Sequence, residues 1–231
     1  MLRRSFSRFL LCLAGLPLTA GLSACGGYEL RNLAKSDINL VTDEFIAETR
    51  RLVRELMIKL YRRNPRQLER GHAASVEQRL RQLLDTPGPL SYDELGRMQE
   101  IAALELVFDE SFHGDRVFAL TVGLGGMLRR AYGYDTESFM FDSQNPGVLE
   151  TSARNIEILV WRLKNNRDAS GHPFLVTSEY NGRIDNLSFE RLFGKLIALQ
   201  DMMARIAGDA GDRRVTRVVH TATSVFIPLP I

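Results

Sequence analysis

Cysteine is nearly absent from this chain: Cys12 and Cys25 are the two it has. That count rules out zinc sites built from several thiolates. Histidine is just as thin. His72, His113, His172 and His220 stand far apart in the sequence, so the pair of imidazoles one helical turn apart that faces zinc in peptidases is missing. No Gly-x-Ser-x-Gly elbow presents a nucleophilic serine. No phosphate loop is present either. Gly123-Leu124-Gly125-Gly126 lies inside an apolar run instead of ahead of one, and no Lys-Ser or Lys-Thr follows it. These absences leave no cofactor and no metal to expect.

What is present begins at the first residues. Arg3, Arg4 and Arg8 form a positive front, with no acid before Glu29. Phe9 to Leu18 is then uncharged and apolar, and the small residues Gly21, Ser23 and Ala24 follow. This is the charged, apolar, small-residue order of a secretory signal. The apolar stretch is shorter than the ~20 residues that span a bilayer.

Leu22-Ser23-Ala24-Cys25 resembles the lipobox of bacterial lipoproteins, and Gly26 and Gly27 continue it. The chemistry explains the spacing. A thiol has to meet a lipid donor at the membrane surface, so it follows the apolar segment directly. Small residues ahead of it admit a peptidase, and glycines behind it keep the new terminus accessible. The resemblance implies a diacylglycerol on the Cys25 sulfur, cleavage between Ala24 and Cys25, and a membrane partner held through the acylated residue. It also implies an anchor in the cell envelope. Gly26 differs from the aspartate of inner-membrane retention signals, so the outer membrane, facing the periplasm, is the expected location.

Loss of residues 1–24 removes three arginines and no acid, which takes the formal net charge from +2 to −1. The precursor's basicity therefore belongs to its signal. A nucleic-acid partner is not expected, because such domains are basic. Cys12 leaves with the signal and Cys25 carries lipid, so no disulfide is available even in an oxidising compartment. The fold must stand on burial alone. The remaining chain, 25–231, is long enough for a real core. Its longest uncharged candidate for a span, the helical run Val117 to Leu128, is bounded by Arg116 and Arg129 and suits a buried helix better than a membrane span.

The pattern along that chain is helical. Residues 25–35 read as a lipidated tether. From Ser36, Ile38, Val41, Phe45, Thr49, Leu52, Leu56 and Leu60 recur at steps of three and four. They predict a helix over Asp37 to Arg63, roughly 40 Å long. Asn64-Pro65 caps and restarts a helix. Ser75 to Gln78 and Ser91 to Glu94 both read as capping boxes. The second opens a helix with Leu95, Met98, Ile101, Ala102 and Leu106 inward. Asp85-Thr-Pro-Gly-Pro89 is a firm break. Asn145-Pro146 restarts a helix to Asn166, with Leu149, Ile156, Leu159, Val160 and Leu163 inward. Phe174 to Tyr180 has strand character before Asn181-Gly182, but a lone hairpin is marginal. Asn186 or Ser188 opens a helix that Gly208 ends, and residues 213–225 read as a last helix. The expected fold is mostly α: a single compact domain over 36–231, with about six to eight helices and little or no sheet. Its prolines keep the apolar tail 226–231 out of any helix.

Three features invite function. Gly123, Gly125 and Gly126 each cost ~1 kcal/mol in a helix, which close helix packing explains, or room for an apolar ligand. The basic run Arg50, Arg51, Arg54, Lys59, Arg62, Arg63, Arg66 and Arg70 reads as a solvated face paired with Glu48 and Glu55, the alternative being contact with anionic lipid. Over a few residues, Glu110-Ser111-Phe112 with Gly123-Leu124 to Met127, the chain also resembles envelope lytic transglycosylases. That resemblance implies a cell-wall lytic enzyme with Glu110 as the catalytic acid, although the family's Gly-Leu-Met-Gln run is broken here. The leading expectation is a non-enzymatic scaffold or adaptor for another envelope protein. A carrier of an apolar or lipid ligand is the second reading and the Glu110 enzyme the third.

The lipobox makes the first prediction. Cells fed labelled palmitate should label the wild-type chain and process it to a Cys25 N-terminus. Cys25→Ala should stay unlabelled and at precursor size. Equal labelling of the two would remove Cys25 as the anchor.

Overall fold

The computed structural model describes residues 37–71, 73–134, 145–180, 183–184, 186–210 and 228. Residues 36–231 form one compact unit, separate from residues 1–35. Among the described residues seven α-helices carry the architecture: α1 (Asp37–Arg63), α2 (Pro65–Arg70), α3 (Val76–Asp85), α4 (Glu100–Leu106), α5 (Arg116–Ala131), α6 (Pro146–Asn165) and α7 (Ser188–Ala210). The sheet is one antiparallel ladder of two-residue strands, β1 (Glu179–Tyr180) and β2 (Arg183–Ile184). The fold is therefore the mostly helical single domain that the periodicity predicts. No helix among the described residues is long and apolar enough to cross a membrane.

Helix α5 is the centre. It is apolar all round and buried along nearly its whole length, the mark of a core helix. Helices α1, α2, α3, α4 and α6 all pack on it, while α7 lies against α6 and α1. Asp115 caps its first turn by accepting from the Phe118 N–H at 2.9 Å. The Gln67 side chain of α2 takes the Arg116 N–H at 2.8 Å. Two donors that would otherwise be orphaned at a buried helix start are thereby satisfied.

The glycines of α5 divide by neighbour. A Cβ on Gly123 would lie 2.7 Å from the Glu100 carbonyl oxygen and 2.8 Å from the Leu104 nitrogen. The start of α4 is pressed on that face. On Gly126 the nearest atom would be Glu100 Cγ at 3.5 Å, an ordinary contact. Close packing thus explains Gly123. Gly125 faces another way, towards Leu83 and Leu90.

Several sequence expectations shift. Helix α1 buries Thr42, Ile46, Thr49, Val53, Leu56 and Leu60, with Leu52 and Met57 beside them, whereas Val41 is 40% exposed. The inward stripe therefore runs one residue later than Val41 and Phe45 in its first half. Ser91 to Glu94 opens only a 3-10 turn, Asp93–Leu95. Gly96 and Arg97 then both take φ +60° and break the chain. As a result Met98 is exposed at 43%, and Ala102 is exposed too. Asn64 does not cap α2 through its side chain. Its amide instead donates to the Leu60 and Val176 carbonyls, both at 2.9 Å, and accepts from the Val176 N–H at 2.8 Å. Gly208 does not end α7, which continues to Ala210. The first box forms: Ser75 accepts from the Gln78 N–H, and the Gln78 side chain reaches back to the Ala74 N–H. Residues 213–225, the Asn181-Gly182 turn, His72, His220 and the tail apart from Pro228 lie outside the described residues.

The two glycines should respond oppositely to the same change. Gly126→Ala should raise stability by up to ~1 kcal/mol through helix propensity. Gly123→Ala should lower it, because crowding backbone atoms costs about 1–3 kcal/mol and more when neither side can yield. Denaturant midpoints of both variants check this, and a stabilised Gly123→Ala would contradict the close α4–α5 contact.

Candidate functional site

A cleft of about 600 Å³ lies where α1, the end of α3 and the second half of α5 meet. Each element contributes for a local reason. Helix α1 turns Ile46, Thr49, Arg50 and Val53 to it, a three-and-four spacing on one face. Helix α3 contributes Leu83 and Leu84, and its exit Asp85-Thr-Pro-Gly88 curls over the edge, with Gly88 at φ +67°. Helix α5 adds Gly125, Leu128 and Arg129, and Tyr132 and Tyr134 follow. With no side chain on Gly125, the wall there is bare backbone. The volume falls within the roughly 300–1,000 Å³ typical of ligand sites.

Two guanidinium groups stand at the rim of this mostly apolar hollow. Arg129 donates to the Leu83 and Thr86 carbonyls at 2.5 Å each and to Gly88 at 3.1 Å. Arg50 donates to the Leu84 carbonyl at 2.8 Å. These bonds close the C-terminus of α3, which has no basic residue in its own last turn and whose carbonyls need donors. Burial, and then the charge of Arg50 nearby, pull the Arg129 guanidinium below its ordinary range.

Deeper in, three polar side chains crowd together. Tyr132 is 2% exposed and Thr49 5%. Neither hydroxyl, nor either end of the buried Gln200 amide on α7, reaches hydrogen-bond geometry with a partner among the described residues. Burial pushes the Tyr132 phenol up to about 12, with Thr49 and Gln200 drawing it weakly the other way. A buried polar group left in that state costs about 1–3 kcal/mol.

Other ionisable clusters do structural jobs. Arg79, fully buried, is held by Glu94 at 2.5 and 2.8 Å and lies 3.4 Å from Asp115. Tyr61 donates to Asp115 at 2.6 Å. Burial raises the Asp115 carboxyl, while the Tyr61 hydroxyl, the Phe118 N–H and Arg79 oppose the rise. A buried acid with a raised pKa resembles a general acid, but this one is sealed, with 0% side-chain exposure. Glu110 sits exposed in the turn after α4, beside Asp109, which accepts from both the Ser111 N–H and its hydroxyl. The apolar enclosure that a protonated glycosidase acid needs is not around it. His113 and His172 are exposed. No group of three or more potential metal ligands occurs among the described residues. Ala24 and Cys25 lie outside those residues.

The basic run disperses in the same way. Arg51 pairs with Glu48 and Glu55, and Lys59 reaches Glu55 at 4.0 Å. Arg63 donates to the Thr177 carbonyl at 3.1 Å. Arg54, Arg62, Arg66 and Arg70 are exposed.

No family model, curated protein or solved structure matches this chain. The site therefore has to be read from its own geometry.

Sequence reasoning came near the cleft through Gly125 and missed its polar members. Thr49 was read as part of a core stripe, Arg50 as part of a charge run and Arg129 as a boundary. One signal was available. Helix α3 ends at Asp85-Thr-Pro with neither a following glycine cap nor a basic last turn, so distant donors had to close it.

Tyr132 gives a direct check. Tyr132→Phe should leave stability unchanged or raise it by up to about 1–2 kcal/mol, because an unsatisfied buried hydroxyl is removed. A loss above ~1 kcal/mol in denaturant melts would show that the hydroxyl has a strong partner in the folded chain.

Proposed function

We propose that the mature chain is a lipid-anchored, non-enzymatic protein of the bacterial envelope whose helical domain binds an apolar ligand in the α1–α3–α5 cleft. The observation that carries the reading is the cleft itself, about 600 Å³ with Ile46, Val53, Leu83 and Leu128 on its walls. Space beside Gly125 is one of the two reasons the glycine run suggested. A Cβ on Gly125 would meet Leu83 Cδ1 at 3.1 Å and one on Gly123 the Glu100 carbonyl oxygen at 2.7 Å, so packing accounts for both glycines and the ligand reading rests on the cleft.

The anchor reading rests on Leu22-Ser23-Ala24-Cys25 and the signal before it. With Gly26 in the second position, the proposed site is the outer membrane, facing the periplasm. Residues 25–35, fully extended, span roughly 40 Å. A tether of that length would keep the domain close to a membrane that supplies apolar molecules.

The scaffold or adaptor reading rests on the anchor, on the lack of a catalytic motif in the sequence and on the apolar tail 226–231 as a surface for a partner. Of that tail only Pro228 is described, and it is exposed. The enzymatic reading drew on Glu110, whose exposed turn gives it no apolar cleft. Ligand binding therefore moves ahead of both, and it needs no chemistry from the chain.

The test is noncovalent extraction. Full-length protein purified from its own membranes should release an apolar molecule in near-stoichiometric amount, read by mass spectrometry. Val53→Trp, which fills the cleft from α1, should release far less while melting as a folded helical protein. Equal extracts from the two would overturn the reading.

A further inference from the structure

The cleft is apolar along its walls and cationic at its rim. Arg50 and Arg129 both line it, and Asp85 is the sole acid among the lining residues. Asp85 is exposed, at the end of α3. Among the described residues neither arginine pairs with a carboxylate. Their hydrogen bonds go to backbone carbonyls. Two other arginines, one buried and one half-buried, find acids. Arg79 has Glu94 and Asp115, and Arg154 has Asp201 at 2.7 Å. Two like charges near one another in a partly buried hollow repel, and the arrangement improves when an anion joins them.

The two arginines differ in what they have left to offer. Arg129 spends its terminal nitrogens on the Leu83, Thr86 and Gly88 carbonyls. Arg50 spends a single N–H on Leu84, and its remaining donors form the planar fork that suits a carboxylate or phosphate. Thr49 lies one residue before Arg50 on α1, and among the described residues its buried hydroxyl and that of Tyr132 reach no partner at hydrogen-bond geometry.

We propose that the ligand of this cleft is an anionic amphiphile, with its carboxylate or phosphate on Arg50 at the rim beside Arg129 and its hydrocarbon chain along Ile46, Val53, Leu83 and Leu128. The inference rests on the apolar-ligand reading above and adds the headgroup. It adds a counter-charge for two cations that, among the described residues, have carbonyl partners at the end of α3 but no carboxylate. Neutral lipids and hydrocarbons would fill the walls and leave the arginines unanswered.

Photocrosslinking tests it on the full chain in isolated membranes. Three probes share one diazirine-bearing dodecyl chain and end in a carboxylate, a phosphate monoester or a hydroxyl. At least one anionic probe should label peptides from the cleft walls with half-saturation at least about tenfold below that of the alcohol, the effect of one charge-assisted hydrogen-bonding fork. Arg50→Gln should bring that probe to the level of the alcohol and leave alcohol labelling within about twofold. Arg50→Glu should push it below the alcohol. Both variants must keep the wild-type melting profile, and Arg50, with one carbonyl bond, is the safer position than Arg129. Whether carboxylate or phosphate labels better identifies the headgroup. Equal labelling by anions and alcohol, insensitive to Arg50, overturns the headgroup inference and leaves apolar binding standing. No saturable labelling of the cleft by any probe overturns both.

Discussion

The guanidinium of Arg79 has no exposed surface, and the first half of the domain is assembled around it. Glu94 grips it with two hydrogen bonds. Asp115 faces its Nε, Gln82 accepts from it at 3.1 Å, and the ring of Phe118 lies 3.9 Å away. Through those groups α3 is tied to the 93–95 turn and to the first turn of α5, and through Tyr61 and Asp115 to α1. Burying an ion costs several kcal/mol, which the two Glu94 hydrogen bonds and the nearby Asp115 charge offset. The neighbouring backbone conforms as well: a Cβ on Gly71 would fall 1.9 Å from the Arg79 Nη2. Removing one partner of such a group costs about 3–5 kcal/mol, because the remaining charge is stranded. Arg79 thus fixes where the chain between α3 and α5 can run.

The same residue type closes the helix ends. Arg116 donates to the Leu106 and Val107 carbonyls at the exit of α4. Arg129 and Arg50 close α3, and Arg63 at the end of α1 reaches the Thr177 carbonyl. The described residues contain no cysteine, so no disulfide holds these irregular segments. Long planar cations hold them instead, each able to serve several carbonyls at once. These arginines are set apart from Arg54, Arg62, Arg66 and Arg70 of the same basic run, which are exposed. The charges of Arg116, Arg50 and Arg129 meet the carbonyl ends of α4 and α3, where the dipole is negative.

This economy also marks what could be read in the sequence. Helices α1, α5 and α6 were legible because their apolar spacing and their Asp, Asn and Pro starts agree. The second capping box misled because Glu94 has a stronger use. Its carboxylate goes to Arg79, and Gly96 and Arg97 turn left-handed where the box called for a helix. Asn64 was read as a local cap, yet its amide binds a backbone more than a hundred residues away at Val176. Local propensity carries no record of such partners. The candidate site was legible only at Gly125. Arg50, Arg129 and Tyr132 belong to different periodic patterns, and only the packing of α1, α3 and α5 brings them to one hollow.

The glycine run of α5 shows how one motif can serve two ends. Gly123 lets α4 approach until its backbone nearly touches α5, and Glu100 at that contact bonds Tyr134 at 2.6 Å and Arg130 at 3.1 Å. Tyr134 in turn lines the cleft, held at φ +65°, a conformation that costs a non-glycine residue about 1–3 kcal/mol. The close α4–α5 packing on one side of α5 therefore positions a wall of the hollow on the other. An occupant of that hollow would touch α1, α3 and α5 together. Binding restricted to the folded state adds RT ln(1 + [L]/Kd), about 2.7 kcal/mol at a hundredfold excess over Kd. Arg50 and Arg129 already tie α1 and α5 to the end of α3, and a ligand bound beside them would strengthen the same junction.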